Sequence, residues 1–227
     1  MYILHYSPDT AALAVRAVLE ELNAPYQARL IDREAGALNS PAYRRLHPLG
    51  QIPAFETPDG PMFETAAILL WLADRHREAG RALAPAPTAP GRASFLAWLF
   101  FTNTNIHTTV MQLFYPERTA GDAAAPAVQA AARARMQTAL DLLDQMVARD
   151  APDWLSPDQP SVLGYYIAML LRWMKSYAPG HPTWFDSADF PALHAIASAL
   201  ERRPAALAAA RAEGLGNTIF TNPLPGA

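Results

Sequence analysis

Three hydroxyls fall close together near the start of the chain, on Tyr6, Ser7 and Thr10, and a hydroxyl aimed at one point can stabilise an anion there. The turn Ser7-Pro8-Asp9-Thr10 divides an apolar run from a helical stripe, so the three stand at a strand end and a helix start. The positive end of a helix favours negative charge at such a place. Further along, Gly50-Gln51-Ile52-Pro53-Ala54 contains an Ile-Pro pair. Proline keeps the residue before it out of the α region. If the bond is cis, the backbone groups of Ile52 project sideways, free to pair with another extended chain. Glu64-Thr65 then precedes Ile68, Trp71 and Leu72, which share one helical face; the pair lies where unpaired helix N–H groups attract a carboxylate. The combination reads as a cradle for a small peptide-like ligand. Each group also has a structural use. Tyr6 can be an ordinary aromatic at a strand end, Ser7 can brace the turn before Pro8, and Thr10 can cap the helix. Thr65 can equally cap its helix while Glu64 complements the dipole, worth about 0.5–2 kcal/mol.

The elements that must position these groups alternate between two periods over the first 80 residues. Tyr2 to Tyr6 reads as a strand, and Ala11, Ala14, Val15, Val18, Leu19 and Leu22 form an apolar helical stripe with Arg16 and Glu20 on the opposite, wet face. After Asn23-Ala24-Pro25, residues 26 to 31 make a second strand, so strand-helix-strand implies a parallel pair with a right-handed crossover. A short helix near Ser40 to Leu46, a hairpin of 54–56 with 61–63 around Pro58-Asp59-Gly60, and a helix over 65–76 complete the unit. Residues 81–91 carry three prolines in six residues and neither period, which marks a semi-rigid linker. Beyond it the period is helical only, with helices expected over 92–114, 126–149, 161–175, 190–202 and 204–212. Phe95, Trp98, Leu99, Thr102, Ile106 and Val110 trace the buried stripe of the first.

Composition narrows the chemistry. The 227 residues are 51% hydrophobic, enough for two cored domains. A formal net charge of −3 and no basic run give no footprint for nucleic acid. Apolar runs such as 94–101 and 165–171 are far shorter than a membrane span, and the N-terminus has no basic n-region, so a cytoplasmic protein without membrane contact is expected. With no cysteine, thiolate metal sites and enzyme disulfide chemistry are excluded, and any sulfur chemistry must use the ligand's sulfur. The histidines His5, His47, His76, His107, His181 and His194 show no metal-ligand spacing, so no metal is expected. The single lysine, Lys175, among many arginines and alanines reads as base-composition bias of a GC-rich bacterial genome.

These pieces, in order, resemble the glutathione transferase family nearly end to end, and its bacterial beta class most closely. The resemblance rests on Tyr6-Ser7-Pro8, Gly50 to Ala54, Glu64-Thr65-x-x-Ile68, Trp98-Leu99 with His107, Leu171-Arg172-Trp173, and Arg203-Pro204 leading to Ala212-Glu213-Gly214-Leu215. It implies a thioredoxin-like glutathione-binding domain at 1–80, a linker at 81–91 and an all-helical domain at 92–227 with a hydrophobic co-substrate cleft, assembled as a homodimer. Carried over, Ile52 pairs its backbone with the cysteinyl unit of glutathione, Pro53 is the cis residue, and Gln51 lies beside them. Thr65 binds the γ-glutamyl carboxylate and Glu64 its ammonium. His107 matches a histidine lining the beta-class cleft, with a packed histidine as the alternative. Asn103, Asn105 and Thr102 add polar groups to a face bordering either the cleft or a dimer contact, and Met111, Phe114, Tyr115 and Trp173 are candidate walls for the co-substrate. The chain departs from the pattern where the beta class carries its active-site cysteine, since Ala11 and Ala12 stand there. It departs again at Ser161-Val-Leu-Gly164, where an Asp usually ends the capping box. A basic residue holding the peptide has only Arg33 as its nearest counterpart.

A thiol of pKa about 8.5 is mostly protonated at neutral pH, and lowering that value by about two units takes roughly 2.7 kcal/mol. One hydrogen bond to the anion supplies about 1.5–3 kcal/mol, so a single hydroxyl of Tyr6, Ser7 or Thr10 nearly suffices. Tyr6 ranks first, because other classes of the family keep a catalytic tyrosine there. The expected function is conjugation of glutathione to small electrophiles, a detoxification chemistry; a non-catalytic glutathione-binding protein of the same fold is the alternative.

Overall fold

The structure, a computed structural model, describes residues 1–77, 82–176 and 184–223. Its first part is a four-stranded sheet in the order β2-β1-β3-β4, with β1 Tyr2–Tyr6, β2 Tyr26–Leu30, β3 Ala54–Thr57 and β4 Gly60–Phe63. β2 runs parallel to β1, and β3 and β4 follow antiparallel. The helices of this part are α1 Ala12–Glu21, α2 Pro41–Arg44 and α3 Thr65–Arg75. This is the expected thioredoxin-like order. Ser40 caps α2 by accepting the Tyr43 N–H, with Pro41 in the first turn.

The register decides what meets at the site. His5 pairs with Ala54, and Ala54 with Phe63. Continued by one residue, it sets Tyr6, Pro53 and Glu64 abreast at one end of the sheet. Two strand spacings, about 10 Å, separate the outer two, roughly the span of a tripeptide backbone.

The second part is helical: α4 Arg92–Phe101, α5 Thr108–Phe114, α6 Glu117–Ala120, α7 Ala125–Asp150, α8 Val162–Ser176, α9 Pro191–Glu201 and α10 Pro204–Glu213. The first helix is not uniform, as its stripe suggests. Between α4 and α5, Thr102–His107 form a π-helical turn, in which the Thr108 N–H reaches the Asn103 carbonyl. Polar side chains compete for the backbone here. The Thr104 hydroxyl donates to the Phe100 carbonyl and the Asn105 amide to the Phe101 carbonyl, which loosens the regular ladder. The stripe itself is buried at Phe95, Leu99, Thr102, Ile106 and Val110.

One core runs through both parts, joining α1 and α3 to α8 and α10. Arg16 is therefore not on a wet face. α1 is covered by the sheet on one side and by α10 on the other, and Arg16 is only 3% exposed, held by an ion pair with Glu213 at 2.8 Å. The Ser161 hydroxyl caps α8 by accepting the Gly164 N–H, so half of the capping box works without its acid. The other half is crowded: a Cβ on Gly164 would stand 3.2 Å from both the Leu200 side chain and the Ser161 hydroxyl, so a neighbour must give way. The expected linker falls partly outside the described residues, at 81; within its described part, the Val162 N–H bonds the Leu83 carbonyl. No described helix is long and apolar enough to cross a membrane.

Candidate functional site

At the sheet end, the Ile52-Pro53 bond is cis. Ile52 lies just outside β3, and among the described residues neither its N–H nor its carbonyl is bonded. Buried backbone groups are nearly always paired, so this half-buried pair is an open edge for an extended ligand. The neighbouring Gln51 is exposed; its carbonyl accepts from the Tyr43 hydroxyl at 2.8 Å, which fixes the approach to the cis bond. Burial pushes the Tyr43 phenol up to about 12, so it remains a donor.

Glu64 leads into α3 with φ +71° and no side-chain cap. A glutamate in the left-handed region is strained, and such strain collects at binding sites. Thr65 is buried at the first helical position, and its hydroxyl has no partner among the described residues. The opening N–H groups of α3 are thus left for an anion. Glu64 stands between the two parts of the molecule. Burial lowers the pKa of His47, and the charge of Glu64 opposes that shift; burial and Glu64 together raise that of Tyr166.

The hydroxyl turn is distinguished by what each group already does. Thr10 donates to the Ser7 carbonyl at 2.7 Å, spending its proton on the turn. Tyr6 lies on the helix side of the sheet with Leu4, and the Arg16 guanidinium sits 4.2 Å from its ring centroid. Neither the Tyr6 nor the Ser7 hydroxyl has a hydrogen-bond partner among the described residues. Ala11 and Ala12 are buried.

Asp9, which the sequence offers only as a turn residue, anchors this turn. Its φ is +54°. Its carboxylate takes two bonds from the fully buried Arg172, at 2.8 and 2.7 Å. Its N–H donates to Glu213 and its carbonyl accepts from the Trp173 indole. Burial raises the pKa of Glu213 even though Arg16 faces it. The signal for Arg172 was present: a lone arginine inside the apolar run 162–174 requires a buried anion. Which anion it meets is not written in the sequence.

Trp173 is thus 7% exposed and packs edge-on against His107, with centroids 5.5 Å apart. Burial lowers the pKa of His107 to about 4, so the imidazole is neutral at pH 7. Its Nδ1 meets the Tyr166 phenol at 2.6 Å. Met111 is half-buried against the core, and Tyr115, also half-buried, lies under the Arg118 guanidinium. The structure brings Tyr6, Pro53 and Glu64 to one sheet end and Trp173 to the turn beside it, with His107 packed on Trp173. Arg33 is exposed. Among the described residues no group of side chains is arranged to hold a metal ion.

Residues 1–74 match the family of glutathione S-transferase N-terminal domains. Glutathione S-transferase GST-4.5 of Xanthomonas campestris is 28% identical over 93% of this chain and 98% of that protein. A sphingomonad glutathione S-transferase, solved in complex with glutathione, superposes with a TM-score of 0.74 at 29% identity, covering 94% of this chain and all of that one. A beta-class enzyme of Sphingomonas chungbukensis superposes at 0.73 with 26% identity over 93% of this chain and 98% of its own.

Proposed function

We propose that this chain, whose residues 1–74 match the glutathione S-transferase N-terminal domain family, is a glutathione transferase that conjugates glutathione to small electrophiles. The observation that carries this is the row formed by the backbone of Ile52, the start of α3 at Thr65 and the hydroxyls of Tyr6 and Ser7, none of them partnered among the described residues. The cysteinyl unit pairs with Ile52. The γ-glutamyl carboxylate takes the Thr65 hydroxyl and the α3 N–H groups, and its ammonium faces Glu64. A relative of the same fold is solved with glutathione, which supports that ligand here.

The thiol then lies beside the turn, where Ser7 or Tyr6 donates to the sulfur and the start of α1 adds its dipole. Ser7 moves ahead of Tyr6, since its hydroxyl sits in the turn itself while the tyrosine ring is packed under Arg16. Thr10 braces the turn. Catalysis is electrostatic and positional, with no enzyme-derived covalent intermediate. Met111 and Tyr115 are proposed as co-substrate walls, while Trp173 stiffens the turn from behind. A cytoplasmic homodimer belongs to the same reading; Phe100 and Leu142 stand exposed on α4 and α7, and sedimentation equilibrium checks the assembly.

Calorimetry with glutathione and turnover of an activated aryl halide test the proposal together. Thr65→Ala is expected to weaken binding about tenfold, the worth of one charge-assisted hydrogen bond. Ser7→Ala is expected to leave binding intact and lower the conjugation rate by about tenfold or more, with the pKa of the bound thiol raised. Absence of glutathione binding overturns the reading. Ala11 at the cysteine position favours a second one, a non-catalytic binder, and binding without turnover of any electrophile would establish it.

A further inference from the structure

Tyr166 on α8 is fully buried, and its phenol touches two groups of the π-helical turn. His107 Nδ1 lies 2.6 Å from the phenolic oxygen, and Asn103 Oδ1 accepts from it at 3.0 Å. The phenol has one proton to give. Burial and the charge of Glu64 raise its pKa, so that proton is present throughout the neutral range. With that proton on the amide oxygen, the phenolic oxygen is left to accept, and the group that meets it at 2.6 Å donates as an Nδ1–H. The other imidazole nitrogen, Nε2, must then be bare. The π-helical turn makes this possible by presenting Asn103 and His107 together to the same phenol.

We propose that Asn103 and Tyr166 are positioning residues that fix His107 in its Nδ1–H tautomer, so that Nε2 meets the ligand as a hydrogen-bond acceptor. The ring packs on Trp173, whose indole holds the Asp9 carbonyl, so one side chain links it to the turn that carries Ser7. A neutral, weakly basic imidazole in this state does not take the thiol proton. It selects a ligand or co-substrate that brings an N–H or O–H to that wall and disfavours one that brings a carbonyl or carboxylate. The use made of Nε2 rests on the proposed cleft; the tautomer does not.

Nitrogen-15 NMR of labelled histidine in the ligand-free protein tests it. The expected wild-type spectrum has a pyrrole-type Nδ1 and a pyridine-type Nε2 for His107. In Asn103→Leu the phenol has lost its acceptor and turns its proton to Nδ1, so the two nitrogens exchange types. Asn103→Asp retains an acceptor and is expected to retain the wild-type pattern. Asn103 is only half-buried, so both variants are expected to fold, which circular dichroism checks. A wild-type Nε2–H form, or an unchanged pattern in Asn103→Leu, overturns the proposal. The measurement contains no glutathione, and so it stands or falls separately from the proposed function.

Discussion

A histidine held neutral by burial destabilises a protein in acid, and His107 is such a residue. Its pKa falls from an ordinary 6.5 to about 4 in the folded chain. Between those values the unfolded state binds the extra proton, so stability is full above about pH 6.5 and declines as the pH drops to about 4. The loss is on the order of 2 kcal/mol once the ring's solvent-facing edge is allowed for. His107→Gln is expected to flatten this part of the stability profile in urea titrations, while Glu213, whose raised pKa gives the opposite slope, is common to both proteins and cancels. Equal slopes in the two would show that His107 is charged before it unfolds. At this scale the sequence supplied the cast but not the assignments. Among Tyr6, Ser7 and Thr10 only the family resemblance ranks Tyr6 first on paper, and the short contact from Thr10 to the Ser7 carbonyl is what sets Thr10 apart. That contact depends on the turn's dihedral angles, which leave no trace in residue types.

Elements were legible where their period was strong. The strands, the hairpin and the helices of the second part emerge within a few residues of their expected limits, because alternating and helical burial patterns differ clearly. The π-helical turn was not legible, since a change of one residue in hydrogen-bond spacing hardly disturbs an apolar stripe. Nor was the reason for Gly164. Read as a missing acid, it is a packing position: α9 lies so close that Leu200 would touch a Cβ. Ser161→Ala is expected to cost about 1 kcal/mol by removing the cap, and Gly164→Asp to destabilise rather than repair the box, because its carboxylate would be forced into the α8–α9 contact. Chemical denaturation of both variants checks this. A more stable Gly164→Asp protein would mean that α9 can give way.

On the scale of the molecule, the two parts are joined by buried charge as well as apolar packing. Arg172 of α8 holds Asp9 and Glu213 of α10 holds Arg16, both buried, while Arg203 at the start of α10 holds Glu21 in a partly exposed pair. The two buried pairs add little net stability over apolar substitutes, but each specifies an orientation, and removing one partner leaves an uncompensated buried charge. Arg172→Met is expected to cost about 3–5 kcal/mol in urea denaturation. Adding Asp9→Gly should restore much of that loss, because it removes the stranded carboxylate and suits the positive φ. The double variant is nevertheless expected to conjugate glutathione poorly, with its hydroxyl turn no longer anchored; undiminished turnover would show that the anchor has no part in the chemistry. By itself the sequence determined the element order, the two-part division and the positions of the cis proline and the α3 start from which a peptide site is proposed, since periodicity, proline and helix-start signals are local properties. Only the tertiary structure decided that Arg16 is buried, that Asp9 meets Arg172 across 163 positions, and that the Tyr166 phenol lies within hydrogen-bond distance of both His107 and Asn103. Those are pairings between distant residues, and what selects a partner is the packing of α1 against α8 and α10, which no local pattern encodes.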